Sequence, residues 1–332
     1  VTPRARRALL ACALALCAGP ARAWRLFGEP SDGKIRPVQK LNDDGKPAEV
    51  IAALTPQFIS TLRGTDLRQA YVLLGDNHAA LNRPAEALGD YQLGVSLFPK
   101  NVDLLTRLAT LLHKNGLDEQ AKPLFMTALR YEPRHWGAHL GLAEIDRRFG
   151  FLDRSADHYE IALEVLDKHA DVWRDYAEVL IAMNELPTAE LALRTALRLE
   201  PDSPAAHVLL AFARRDRGDF DGAAAELDEA SALGAGVGAL RAKALLRVDQ
   251  GRLDLARAEA EKILRTVPDD GAALWVCARA RLAAGDARGA ENDLAAVKSK
   301  DDRDVFAAKA AQTLRDEILA ARARREDALY TK

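Results

Sequence analysis

The sequence predicts an all-α chain built as an α-solenoid of stacked antiparallel helix pairs. Three observations carry that prediction. A motif returns every 34 residues, apolar residues recur at helical spacing in two short segments of each period, and a Gly or Asn separates the segments. The period is plainest in Ala87–Tyr91–Pro99, Ala121–Phe125–Pro133 and Ala189–Leu193–Pro201. With Asp167 in the remaining slot, Pro99, Pro133 and Pro201 mark successive steps of 34 residues. A period of this length belongs to an array in which each unit packs only on its neighbours.

The order of elements starts with a targeting segment. Arg4, Arg6 and Arg7 precede an apolar run from Ala8 to Ala18, and Ala21-Arg22-Ala23 follows. A basic region, a short apolar region and an A-x-A site make residues 1–23 a secretory signal, with cleavage expected before Trp24 and the periplasm as destination. The apolar run is too short to cross a bilayer. Leu14-Ala15-Leu16-Cys17 resembles a bacterial lipobox with Leu where a small residue is usual, so a lipoprotein anchored at Cys17 is the alternative. Loss of the four arginines in 1–23 moves the formal net charge from -2 to -6, a balance that does not steer the chain to nucleic acid or anionic lipid. Cys277 is then the one remaining thiol, which excludes an intramolecular disulfide. Membrane association is expected only indirectly or through that lipid.

Residues 24–67 read as an extended lead-in with a degenerate first repeat. Gly28, Pro30, Gly33, Pro37 and the turn Asn42-Asp43-Asp44-Gly45 oppose long helices, while Pro47 to Leu54 suits one helix that Thr55-Pro56 breaks or caps. Seven units follow over 68–300: 68–101, 102–135, 136–169, 170–203, 204–236, 237–270 and 271–300. The eighth place holds Gly75, Ala109, Ala143, Ala177, Ala211, Ala244 and Ala278, small enough for close helix approach. Asn82, Gly116, Gly150, Asn184, Gly218, Gly251 and Gly285 occupy the inter-helix turn, where left-handed dihedrals are cheapest for Gly and tolerable for Asn. The twentieth place is again Ala, with Ser155 the polar substitute, and Tyr91, Phe125, Tyr159, Leu193 and Leu227 fill the space between units. Pro99, Pro133, Pro201 and Pro268 stop the second helices. Trp136 and Trp173, at unit starts, read as packed between helices. Residues 301–332 form a closing helix and tail, with Val305, Phe306, Ala310, Leu314, Ile318 and Leu319 on the covering face.

These recurring positions are similar to those of the tetratricopeptide repeat family over about residues 68–300. The resemblance implies a right-handed superhelix whose first helices line a concave face, with the second, fifth, ninth, twelfth and thirteenth places turned to the groove. Thr106, Thr110, His113, Lys114, Glu144, Arg147, Arg148, Arg174 and Glu178 fall there, with Arg107, Arg214 and Arg241 nearby. In later units Val208, Phe212, Leu245, Trp275 and Arg279 lie on the same face. The candidate peptide-binding groove is therefore Arg107, Thr110, Lys114, Glu144, Arg147, Arg148, Arg174, Glu178, Phe212, Trp275 and Arg279. Arginine's planar fork of donors suits an extended acidic or polar segment, and Phe212 and Trp275 are candidate aromatic anchors, with inter-repeat packing as their other reading. The Lys and Asn pair by which some relatives hold a partner's C-terminal carboxylate is absent, since Val72, Asp76, Thr106 and Thr110 stand at those places.

Catalysis is not expected. The seven histidines include no H-E-x-x-H, and the chain has no Walker loop or G-x-S-x-G. His139, at a fourth place, reads as a packed histidine, and Cys277 as a core residue. No metal or cofactor is expected. The function read from the sequence is a periplasmic interaction scaffold or adaptor for a protein partner, extended or helical, in envelope, secretion or respiratory-complex assembly. The alternative is a structural protein that forms a homo-oligomer.

Overall fold

The computed structural model describes residues 33–297 and 313–319, and every regular element among them is an α-helix. The chain divides into two compact units, one ending at Leu166 and the other beginning at Asp167.

The first unit opens with three short helices, α1 (Arg36–Asp43), α2 (Pro47–Ala53) and α3 (Pro56–Thr61). Its loop signals turn out to delimit helices. Pro37, Pro47 and Pro56 each lie in a first helical turn, where the missing amide has no intrahelical partner to lose. Thr55 caps α3 by accepting from the Phe58 amide at 3.2 Å. Three helix pairs follow: α4 (Gly64–Ala80) with α5 (Pro84–Leu97), α6 (Val102–Lys114) with α7 (Asp118–Tyr131), and α8 (Trp136–Arg148) with α9 (Leu152–Leu163). The lead-in is tied to α4 by Asn77 Nδ2 donating to Asn42 Oδ1 at 2.9 Å, and by the Ile35 amide donating to the buried Asp66 at 3.3 Å.

The second unit holds four pairs. They are α10 (Ala170–Ala182) with α11 (Leu186–Leu199), α12 (Pro204–Asp216) with α13 (Phe220–Ala232), α14 (Gly236–Asp249) with α15 (Leu253–Thr266), and α16 (Gly271–Ala283) with α17 (Ala287–Ala296). Helix α18, residues 313–319, packs on the last pair: Leu314 and Ile318 bury against Ala278, Ala290 and Leu294. Each unit is thus an all-α stack of antiparallel pairs.

The turn within each pair has the dihedral the sequence requires. Asn82 and Asn184 sit at φ 56° and 63°, the only non-glycine residues of the described chain at positive φ. Gly116 shows why: its amide donates to His113 O at 2.8 Å and that of Leu117 to Leu112 O at 2.9 Å, a closure of α6 that needs a left-handed residue.

Packing follows from side-chain size. Ala87, Ala121, Ala189, Ala223, Ala256 and Ala290 are wholly buried at the helix crossings. Ser155 keeps this close approach because its hydroxyl donates to Ala143 O at 2.8 Å, so no buried polar atom is stranded. Phe125 and Tyr159 are fully buried. Their neighbours are cut to fit: a Cβ on Gly141 would lie 2.2 Å from the Phe125 ring, and one on Gly75 2.3 Å from Tyr91. In the first unit the buried side chains form a continuous core from Ile35 to Ile145, rich in Leu and aromatic residues. Those of the later pairs form smaller, alanine-rich clusters.

Two expectations need correction. Trp136 is 42% exposed and stacks on His135, with centroids 6.2 Å apart. As the first residue of α8 it has no preceding helical turn to lie over, so its ring covers the cap residue instead. Leu319 is 60% exposed, because it lies one residue round the helix from the buried Leu314–Ile318 stripe. Val305, Phe306 and Ala310 lie outside the described residues, as does the segment 1–23.

Phe125→Ala should cost about 3–5 kcal/mol. Gly141→Ala should also destabilise, since its methyl group meets the same ring. Urea unfolding of the full chain measures both.

Candidate functional site

The first-helix faces carry charged side chains that the repeat pattern leaves unassigned, and several of them form ion pairs across the helix seams. On α6, Arg107 reaches back to Asp76 of α4 at 2.6 Å, and the Tyr91 hydroxyl donates to the same carboxylate at 2.5 Å. Thr106 and His113 are buried and present no groove surface, Thr110 is half-buried and Lys114 is exposed. His113 lies between two acids: Nδ1 is 2.6 Å from Asp118 of α7, and Nε2 is 2.9 Å from Glu144 of α8. Arg148 completes the group at 2.6 Å from the other Asp118 oxygen. Arg147 is half-buried beside it. The wholly buried Asp146 accepts from Lys122 at 2.8 Å and pairs with Arg154 at 2.9 Å. A carboxylate removed from water in this way is held by its cations and would be costly without them.

In the second unit the same principle recurs. Arg174 pairs with its neighbour Asp175 at 2.9 Å, and Glu178 is exposed on the same helix. Glu190 gathers Arg194 at 2.7 Å, Arg214 at 3.6 Å and Arg217. Arg214 also pairs with Glu226 at 3.0 Å. Arg241 is bound to Asp270, which caps α16 by accepting from the Ala273 amide at 2.9 Å. Arg279 is bound to Glu317 of α18. Phe212 joins the cluster of Ala211, Ala223 and Leu246, under the Arg215 guanidinium at 5.2 Å. Trp275 packs against the last two clusters. Both aromatic side chains thus take part in stacking.

The candidate residues are therefore not equivalent. Arg107, Glu144, Arg148 and Arg279 act as struts between successive elements, Arg174 is held within its own helix, and Lys114 and Glu178 stand exposed. Sequence reasoning missed Asp118, Glu190 and Asp270, which as acids at helix starts and surfaces look like caps or solvated charges. The signal for the struts is an opposite charge one repeat away: the partners lie 29 to 31 residues apart in Asp76–Arg107, Asp118–Arg148 and Arg241–Asp270.

His139 and His207 are tied into the stack. His139 and His207 stand at the same place in their repeats, and each ring Nε2 meets a proline carbonyl six residues back, Pro133 at 2.9 Å and Pro201 at 3.2 Å. Since that carbonyl only accepts, His139 Nε2 carries a proton, and its Nδ1 faces His158 Nδ1 at 2.9 Å. No group of three or more His, Cys, Asp or Glu among the described residues is arranged to hold a metal ion. Burial pushes the Cys277 thiol up to about 11, which keeps it protonated and unreactive near neutral pH.

His113 has two carboxylate neighbours that accept hydrogen bonds, an arrangement that favours the protonated ring, in which both nitrogens donate. The Glu144 hydrogen bond, against burial and with help from Asp118, holds its pKa above the ordinary value. A raised folded-state pKa gives stability that is full below about pH 6.5 and is lost as pH rises through the folded value. His158 is shifted down by burial and by His139, so its contribution is present above about pH 6.5 and lost as pH falls. Proton NMR titration should separate the two rings in that order. His113→Gln should remove the fall in thermal midpoint on the alkaline side.

With this geometry in place, the chain can be set beside known proteins. A family profile for the tetratricopeptide repeat matches residues 106–171, 177–237 and 241–303, more than half of the chain. Tetratricopeptide repeat protein 8 of Caenorhabditis elegans is 24% identical over 203 residues, a match covering 50% of this chain and 40% of that protein's length. Among solved structures, a tetratricopeptide repeat protein from Parabacteroides merdae is 16% identical with a TM-score of 0.61, over 74% of this chain and 98% of that one. PilW, a widely conserved type IV pilus biogenesis factor, is 21% identical with a TM-score of 0.53, over 60% of this chain and 93% of that one. At such identities the structural likeness concerns the fold. Repeated helix pairs, turn residues and profile matches agree that the chain belongs to the tetratricopeptide repeat family.

Proposed function

We propose that this tetratricopeptide repeat protein is an exported, non-catalytic scaffold that holds an extended or helical segment of a protein partner on its first-helix faces. The observation that carries the reading is the set of polar side chains at first-helix places outside the repeated core positions. Lys114 and Glu178 are exposed there, and Thr110, Arg147 and Arg174 are half-buried. A side chain there whose identity stacking does not dictate, such as the exposed Lys114, can follow a ligand. Arg174 is restrained only by the adjacent Asp175, so an incoming carboxylate can compete for it. Support for a role in assembling an envelope, secretion or respiratory complex comes from the signal-like order of residues 1–23 and from the sharing of this fold by a pilus biogenesis factor.

Three measurements test the reading. Arg147→Glu with Arg174→Glu should reduce recovery of the partner from native envelope by about tenfold while the thermal melt is kept, and unchanged recovery removes the first-helix face from consideration. Light scattering on the same chain should give a concentration-independent monomer; a concentration-dependent oligomer would favour self-assembly. For export, mass spectrometry of the periplasmic fraction should find an N-terminus at Trp24. Retention of residues 1–23, or a lipid on Cys17, overturns that part.

A further inference from the structure

Glu144 belongs to two surfaces at once. It stands on the first helix α8 with its side chain 36% exposed, yet a carboxylate oxygen lies 2.9 Å from Nε2 of the buried His113 on α6. The other ring nitrogen, Nδ1, lies 2.6 Å from Asp118 of α7, which is only 6% exposed and takes Arg148 on its second oxygen. The charged groups facing the ring are thus Asp118 from α7 and Glu144 and Arg148 from α8. On α6 itself Lys114 is exposed, and Arg107 turns back to Asp76 of α4. In the preceding helix pair His78 is taken up by Asp90 of α5.

The two carboxylates differ in what they lose when the ring gives up a proton. A neutral imidazole keeps one N–H, so one of the two bonds must go. Deprived of the ring, Asp118 would be a buried acceptor short of a partner, whereas Glu144 can turn to water at little cost. The proton therefore leaves Nε2, and the Nδ1–H bond to Asp118 stays. The Nε2 lone pair then faces a carboxylate oxygen, two acceptors in contact, and Glu144 is pushed off the seam. Once released it lies one helical turn from Arg147 and Arg148, on the face that also carries Lys114. There it competes for cations with the carboxylates of an incoming segment and repels them directly.

We infer that His113 regulates the proposed first-helix site: the protonated ring holds Glu144 in the seam and leaves the face open to an acidic segment, and the neutral ring releases Glu144 to oppose it. This regulation rests on the first-helix reading of the partner site. The Glu144 hydrogen bond, against burial and with help from Asp118, raises the ring's pKa, so release falls on the alkaline side of the ordinary histidine value. Binding of an acidic segment is accordingly full below that folded-state value and lost as pH rises through it.

The test uses the full chain, isotopically labelled in its histidine rings and glutamate carboxyl groups and followed by NMR across about pH 5–9. As pH rises, Nε2 of His113 should lose its proton while Nδ1 keeps it, and the Glu144 carboxyl signal should move with the same midpoint. Proton loss from Nδ1, or a Glu144 signal that does not follow His113, overturns the inference. Fluorescence anisotropy with a labelled peptide of alternating Glu and Ser reads the consequence. Binding should weaken about fivefold as His113 deprotonates, and saturating peptide should by the same linkage move the His113 midpoint upward. Lys114→Glu should weaken binding at every pH, and unchanged binding would place the peptide elsewhere and overturn the regulation. Glu144→Gln should abolish the pH dependence, because a carboxamide can bond either form of the ring and carries no charge. If that variant unfolds, the midpoint shift in the unmutated chain decides. Peptide bound equally across the range overturns the regulation and leaves the first-helix site standing. Peptide bound at no pH, with Glu144 seen to follow His113, removes the face as a site for acidic segments and the regulation with it.

Discussion

A helix pair of this chain has too little apolar surface on its inner face to hold itself together, so each pair depends on the seam it makes with the next. The seam sets the size of nearly every repeated side chain. Where a large ring crosses it, the facing residue shrinks: Phe125 fits because position 141 is glycine, and a methyl group there would stand 2.2 Å from the ring. Where both sides are small, as at Ala223 and Ala256, the helices approach until alanines fill the crossing. The 34-residue period is the sequence trace of that one packing problem solved repeatedly.

Polar groups complete the seam. In the first unit a continuous core rich in Leu and aromatic residues is supplemented by His113, Asp118, Glu144 and Arg148, which link three helices through hydrogen-bonded charges. In the second, the clusters are smaller and richer in alanine, Glu190 collects arginines from its own and the next repeat, and Asp270 holds Arg241. Ion pairs of this kind add less net stability than apolar packing, because desolvation offsets their attraction. Their geometric demands are strict, however. A slipped register would strand Asp146 or Asp118 in the interior without a cation, a cost that aligned stacking avoids.

This double use of charge explains which parts of the molecule were legible in the sequence. Periodicity exposes whatever each repeat must do, so the helix pairs, the left-handed Asn82 and Asn184 and the crossing alanines are readable from spacing alone. Features at the ends of the pattern are less readable. Pro37 reads as opposing a long helix until the structure places it in a first turn, and Trp136 and Leu319 look apolar and hence packed until their position on the helix is known. The arginines are the hardest case. A guanidinium on a first helix has the same sequence signature whether it awaits a ligand or braces the previous repeat, and the distinction rests on an acid about thirty residues away. Arg107 and Arg148 are braced in this way, whereas Lys114 is not.

The same logic locates the surfaces on which selection for binding can act. First-helix positions are only partly free, because a residue such as Glu144 is both on the face and bonded to His113 across the seam. Changing it for a ligand disturbs the stack. The inter-helix turns carry a lighter burden: one residue must tolerate a positive φ, and its neighbours need only be soluble. A turn can therefore diverge from its counterparts without weakening the array, as Phe149 and Phe151 do at Gly150. Binding specificity on such a scaffold should accumulate first where stacking exerts the least control.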